Sequence, residues 1–151
     1  ANTYYQGTLI FRAWFSKIST GTSDPVVMLE LKGGTTIAAP TTSYVSLGSV
    51  TQTVSGTPGT WTQLVLAVNI PVNSYQKLEI SITDTGIGIP KEKQEKVFER
   101  FYKMNSFSQG TGLGLSISRT IAEKLGGSLH IDSSYTDGCR MVLTLPLVYA
   151  E

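Results

Sequence analysis

Two short segments of this 151-residue sequence have residue types and spacing suited to binding a ligand. The first is Asp84-Thr85-Gly86-Ile87-Gly88-Ile89-Pro90. A carboxylate there accepts hydrogen bonds from an amino group such as that of adenine, and the paired glycines let the backbone turn sharply and approach a planar ring. The second is Gly110-Thr111-Gly112-Leu113-Gly114-Leu115-Ser116. Closely spaced glycines expose backbone N–H groups, and the positive end of a following helix favours anions, so this segment suits a phosphate cradle. No Lys follows its last Gly, which excludes the Walker pattern, and no strand precedes it, which excludes the dinucleotide fingerprint. Between the two lies Phe98-Glu99-Arg100-Phe101-Tyr102-Lys103, whose aromatic residues suit the anchor of a mobile loop. Taken singly, each segment also fits a plain turn, a flexible helix start or core packing.

The elements that position these segments follow from apolar periodicity. Leu78, Ile80 and Ile82 share one face of a strand that ends at Asp84. From Lys91 the period becomes helical, with Val97, Phe101 and Met104 at i, i+4 and i+7 and Pro90 in the first turn. A second helix is expected from Leu113 to Leu125, where Leu113, Ile117, Ile121 and Leu125 form a stripe and Gly126-Gly127 stops it. Ser128–Asp132 and Cys139–Leu147 then read as a hairpin. Cys139, Met141, Leu143, Leu145 and Leu147 share one face, and Cys139 is expected to act as a small core hydrophobe.

Upstream of residue 76 the chain has a different character. Its charged residues there are Arg12, Lys17, Asp24, Glu30 and Lys32, scattered among Thr, Ser and Gly. Leu9, Phe11, Ala13 and Phe15 alternate with Ile10, Arg12, Trp14 and Ser16, the period of a half-buried strand. The alternation recurs at Val27, Leu29 and Leu31, at Val45 and Leu47, and at Leu64, Leu66, Val68 and Ile70, with turn-forming clusters between. The expected fold class is α+β: antiparallel, sandwich-like strands over 1–76, then helices on a sheet over 77–151, with a junction at 74–77. Trp14 and Trp61 have faces suited to stacking on sugar rings, but their place in alternating strands predicts core packing.

Composition bounds the remaining possibilities. A formal net charge of +1 provides no basic stripe for nucleic acid. The single cysteine excludes an intrachain disulfide and a cysteine-based zinc cluster. No apolar run in the sequence reaches the ~20 residues that span a bilayer. The sole histidine, His130, falls in the hairpin, where it reads as a sheet residue.

In order and spacing, the three segments resemble the first glycine box, the phenylalanine box and the second glycine box of the ATP-binding domain of bacterial sensor histidine kinases. That fold is shared more loosely with gyrase and the Hsp90 and MutL proteins. The resemblance covers residues 78–147, the second half of such a domain, and Gly126–Pro146 extends it as the closing hairpin. It implies ATP as ligand. Asp84 would hold the adenine amine, Gly86 and Gly88 would shape the base pocket, and Gly110, Thr111, Gly112, Leu113 and Gly114 would border the phosphates. Phe98 and Phe101 would carry the base of a lid over Lys103–Gln109, with Lys103 facing phosphate. The partners implied are a histidine phosphotransfer module or a response regulator, and the compartment implied is the cytoplasm. The family also has an asparagine box, a helix before the Asp-bearing strand whose Asn holds Mg²⁺. Asn2, Asn69 and Asn73 precede Asp84, and the last two flank Pro71 in a β-like stretch, so the Mg²⁺ ligand is not found and no catalytic residue is assigned. The stretch Thr8–Ser16 with Gly59-Thr60-Trp61-Thr62 is similar to jelly-roll carbohydrate-binding modules, which implies a noncatalytic sugar- or protein-binding segment as the alternative. A chimeric fold with no ligand is the third reading.

Overall fold

A computed structural model describes residues 7–17, 24–35, 44–71, 75–104 and 110–147. Within them the chain forms seven strands and one α-helix: β1 Gly7–Phe15, β2 Val26–Gly34, β3 Tyr44–Thr53, β4 Thr62–Ile70, β5 Lys77–Asp84, α1 Gly114–Lys124, β6 Ser128–Ile131 and β7 Cys139–Pro146. The α+β class, the alternating strands of the first half and the closing hairpin are as the periodicity predicts.

The strands form a two-stranded sheet, β1-β4, and a five-stranded sheet in the order β3-β2-β5-β7-β6, every neighbouring pair antiparallel. The five-stranded sheet crosses the compositional boundary, because β2 pairs with β5 from Val27↔Asp84 to Gly34↔Lys77. Period-2 alternation brings Val27, Leu29 and Leu31 of β2 to the same face as Leu78 and Ile80 of β5. One buried cluster joins them to Leu64, Leu66, Val68 and Ile70 of β4. A lysine also bridges the two parts of the sequence, with Lys32 Nζ 3.4 Å from both Glu30 and Glu79.

Three expectations are corrected. The segment 91–104 is not a helix but two 3-10 turns, Lys91–Lys93 and Lys96–Phe98, ending where Glu99 turns extended. Val97 and Phe98 are buried, but Phe101 has φ 65° and is exposed. A bulky residue in the left-handed region cannot continue a right-handed helix, so the apparent i, i+4, i+7 stripe is broken. Second, Trp14 and Trp61 are 54% and 69% exposed, not packed in the core. The face of β1 that meets the core carries Leu9, Phe11 and Phe15, and Trp14 alternates to the opposite side. Third, helix α1 forms as expected, but Ile117, Ile121 and Leu125 of its stripe are each more than half exposed, while Ser116 and Ala122 are buried. Cys139 is half-buried at the start of β7, and burial, followed by the nearby Asp84 charge, pushes its thiol up to about 11.

The end of α1 is a hydrogen-bonded stop. Gly126, at φ 76°, donates to Glu123 O, and Gly127 N donates to Ala122 O at 2.8 Å, the paired bonds of a Schellman motif. The β6–β7 turn is held by Asp132, whose Oδ1 accepts from Ser134 N (3.0 Å) and Oγ (2.6 Å) and whose Oδ2 accepts from Arg140 at 3.3 Å. The Ser134 hydroxyl, against burial and with help from Arg140, holds the carboxyl below its ordinary range. A carboxyl whose pKa is lower in the folded chain stabilises fully above the unfolded value and loses that contribution as pH falls through the folded one. Urea midpoints of the chain should therefore hold steady above about pH 5 and fall below about pH 4. In Asp132→Asn the midpoint at neutral pH should be lower and its acid-side fall smaller. An unchanged acid limb in that variant would place the sensitivity elsewhere.

Candidate nucleotide site

Asp84 ends β5 between two neighbours, opposite Val27 of β2 and Cys139 of β7. Its Oδ1 accepts from Gly86 N at 2.8 Å, closing a turn in which a Cβ at residue 86 would lie 2.8 Å from that same oxygen. This is an Asx turn, a side chain standing in for backbone. Thr85 fastens the turn to β2: its N–H donates to Val26 O at 3.0 Å, and its Oγ1 accepts from Val26 N at 2.9 Å. Gly88, at φ 68°, packs so closely on Gly138 that a Cβ would meet Gly138 O at 2.7 Å. Ile87 projects into solvent between them, 97% exposed. Among the described residues no donor meets the second carboxylate oxygen of half-buried Asp84.

The second glycine segment is tied to the phenylalanine segment. Phe101 N donates to Gly112 O at 2.9 Å, and Gly112, at φ 71°, leaves no room for a side chain beside the Tyr102 carbonyl. Gly110 and Gly114 have no heavy atom within 4 Å of a would-be Cβ. Helix α1 begins after Leu113 without a side-chain cap among the described residues, which leaves its first N–H groups outside the intrahelical bonding. Ser116 Oγ donates back to Leu113 O at 2.9 Å, leaving its own N–H uncapped. The start of α1 thus places the positive end of the helix dipole beside the glycine segment.

Of the two phenylalanines, Phe98 is buried under the guanidinium of Arg119, 3.8 Å from its ring centroid, whereas Phe101 faces solvent. Arg119 also donates to Leu129 O at 3.0 Å and to Glu95 at 2.9 Å. Its guanidinium holds the largely exposed Glu95 carboxyl below the usual range. Arg119 and Gly138 were missed in the sequence reading. Gly138 had a signal, the Asp137-Gly138 turn dipeptide, but an arginine on a helix carries none until the fold shows what it spans. Lys103 is exposed, and residues 105–109 of the expected lid lie outside the described residues.

Among the described residues, no hydrogen bond joins the Asp84 turn to the Gly110–Gly114 loop. A cavity of about 210 Å³ is lined by Lys77, Gly126, Gly127, Ser128, Thr144 and Pro146. It lies at the other end of β5 from Asp84, roughly 23 Å along the strand at 3.3 Å per residue, and none of the motif residues lines it. Asn69 stands on strand β4 opposite Thr8, and no group of three His, Cys, Asp or Glu side chains suited to a metal occurs among the described residues. Ahead of β5 the one asparagine among the described residues, Asn69, thus sits on a strand and not on the helix of an asparagine box, and Asn2 and Asn73 lie outside the described residues.

Comparison with known proteins agrees with the motifs. Residues 49–149 match the family described as histidine kinase-, DNA gyrase B- and HSP90-like ATPase, and the chain belongs to that family. The match begins inside β3, upstream of Leu78. Among relatives, the sensor histidine kinase RppB of Synechocystis is 40% identical over 85 residues, 53% of this chain and 19% of that protein. The sensor histidine kinase WalK of Bacillus subtilis is 42% identical over 83 residues, 52% of this chain and 14% of that protein. The chain therefore spans a fifth or less of these relatives. Among solved structures, the mycobacterial sensor histidine kinase MprB aligns with a TM-score of 0.42 at 36% identity, covering 47% of this chain and 48% of that one. The catalytic domain of the histidine kinase ThkA aligns with a TM-score of 0.42 at 33% identity, covering 50% and 48%. No helix among the described residues is long and apolar enough to cross a membrane.

Proposed function

We propose that this chain binds an adenine nucleotide through the half-domain at residues 77–151, as part of a sensor histidine kinase, with phosphoryl transfer impaired. The observation that carries the reading is the start of α1 at Gly114, which has no side-chain cap among the described residues and follows the glycines at 110 and 112. Asp84 receives the adenine amine on its second carboxylate oxygen. Gly86 and Gly88 shape the turn beside the base, and Gly110, Thr111, Gly112, Leu113 and Gly114 border the phosphates. Phe98, clamped by Arg119, anchors the segment leading through Phe101 and Lys103 to the lid. Residues 1–76 stand where the first half of the family domain would be, joined near 74–77. Among the described residues ahead of β5 the one asparagine, Asn69, stands on a strand, and a chain without the Asn that holds Mg²⁺ would lack the metal's neutralisation of phosphate charge, which is the ground for impaired transfer. The histidine acceptor and response regulator belong to other modules, and the setting is the cytoplasm.

Calorimetry with a nonhydrolysable ATP analogue tests this. Saturable binding should occur, change less than twofold on adding Mg²⁺, and weaken at least tenfold in Asp84→Asn, since a lost hydrogen bond to a charged group is worth about 1.5–3 kcal/mol. A flat isotherm from the folded chain would sink the reading.

A second reading rests on the exposure of Trp14 and Trp61. Trp14 lies on the outward side of β1, opposite Gln63, and Trp61 immediately precedes β4. Two accessible indoles suit stacking on a sugar chain, as a noncatalytic carbohydrate-binding module would use them. Quenching of tryptophan emission by a soluble glucan, alongside the flat nucleotide isotherm, would favour it.

A further inference from the structure

Among the described residues, β3 forms one edge of the five-stranded sheet, with β4 packed on its inner face at Gly48. Strand β3 is ten residues long, pairs among the described residues with β2 alone, and contains no charged residue and no proline in Tyr44-Val45-Ser46-Leu47-Gly48-Ser49-Val50-Thr51-Gln52-Thr53. Edges of this kind display a row of free backbone donors and acceptors. Charge, proline, shortness or a bulge usually keeps them from pairing with another chain. Here the one such device is a bulge: Leu31 pairs with Gly48 and Lys32 with Ser46, leaving Leu47 as the extra residue. Beyond it, Gly48–Thr53 is regular and continuously paired to β2, six residues, the length of an ordinary strand. The opposite edge of the same sheet, β6, has four residues.

We propose that Gly48–Thr53 pairs antiparallel with the same segment of a second copy, joining two five-stranded sheets into one. Three features select a second copy as the occupant. The segment has no charge to repel itself. The other edge of the sheet is too short to be its match. An antiparallel pair of identical strands also closes on itself about a two-fold axis, as most oligomers do. The register follows from geometry. An axis perpendicular to the sheet keeps every side chain on its own face, so facing positions must share parity and the axis must pass through a residue. An axis through Val50 sets Ser49 opposite Thr51 of the second copy and Gly48 opposite Gln52. Ser–Thr pairs across strands are favourable, and both side chains are exposed on β3 as it stands. In this register Val50 faces its own symmetry mate.

The test is analytical ultracentrifugation of the chain with hydrogen exchange of residues 44–53. The expected result is a monomer–dimer equilibrium, with the outward amides of 48–53 gaining protection as concentration rises. The double variant Ser49→Lys/Thr51→Lys places like charges opposite each other twice and should weaken the dimer at least tenfold. Mixing it with Ser49→Glu/Thr51→Glu should restore a heterodimer by charge pairing. Ile121→Lys, on the exposed stripe of α1, should leave the dimer intact. A chain that stays monomeric at all accessible concentrations overturns the proposal. So does a dimer that Ile121→Lys dissolves while the lysine pair on β3 does not. If a lysine variant fails to fold, concentration-dependent protection confined to 48–53 in the unmodified chain still decides.

Discussion

Replacing Leu31 by alanine should destabilise both parts of the sequence together, by about 2–5 kcal/mol. Leu31 has 0% exposure, the lowest value in the core. It pairs with Gly48 in β3 and with Ile80 in β5, and it belongs to the cluster that β4 closes from the other sheet. Truncation leaves a cavity whose walls come from residues before and after the compositional boundary, so neither part can relax into it alone. Against a total of about 5–15 kcal/mol for a domain, the loss is large enough to read in urea by far-UV circular dichroism. Hydrogen exchange gives the sharper result. Slow amides of β4 and of β7 should both accelerate, by at least about thirtyfold for a 2 kcal/mol loss, because global unfolding exposes both. Acceleration of β4 with β7 unmoved would show that the two parts open independently. The shared core would then be a contact between two units and not their common foundation.

What the sequence disclosed and what it hid divide along physical lines. Strand alternation was legible because period 2 is local, and β1, β4 and the β6–β7 hairpin fall where it put them. Alternation alone does not say which side faces inward when both sides carry large apolar residues. Leu9, Phe11 and Phe15 compete with Ile10 and Trp14, and the choice is made by where β4 sits over β2 and β3. The pairing of β2 with β5 joins residues far apart in the chain, so no local pattern announces it. Helix α1 was legible through its glycine stop, but its apolar stripe turned outward, because the side that meets β6 and the Phe98 turn uses Ser116, Arg119 and Ala122 instead. The segment 91–104 misled because apolar residues at i and i+4 record spacing, whereas Phe101 N bonds to Gly112 O across a left-handed residue. In the site, the order of Asp84, Phe98 and Gly110–Gly114 was visible as a motif. The clamp of Arg119 and the packing of Gly138 became visible only once the chain was folded.

Gly138→Ala should cost about 2–5 kcal/mol, the sum of backbone strain and overpacking at one position. Gly138 sits at φ 151°, a region that side chains rarely adopt, and a Cβ there would lie 2.0 Å from Asp84 O and 2.9 Å from Thr85 Cα. Those atoms are backbone, so no side chain can swing aside; the end of β5 must separate from the start of β7. Two readouts follow at the site itself. Cys139, opposite Asp84, has its thiol pushed up to about 11 chiefly by burial, so opening the strands should speed its alkylation at neutral pH. Displacing Asp84 should also abolish the binding of an ATP analogue. Gly56→Ala separates strain from collision. Gly56 has φ 107° with nothing within 4 Å of its would-be Cβ, so it should cost only the about 1–2 kcal/mol of the backbone conformation and leave Cys139 slow. If the two variants lose equal stability and Cys139 stays protected in both, the close approach of Gly138 does not position Asp84. The turn would then be held by the Thr85 bonds to β2 instead, and Thr85→Val, which removes the hydroxyl acceptor for Val26 N, becomes the substitution that should release it.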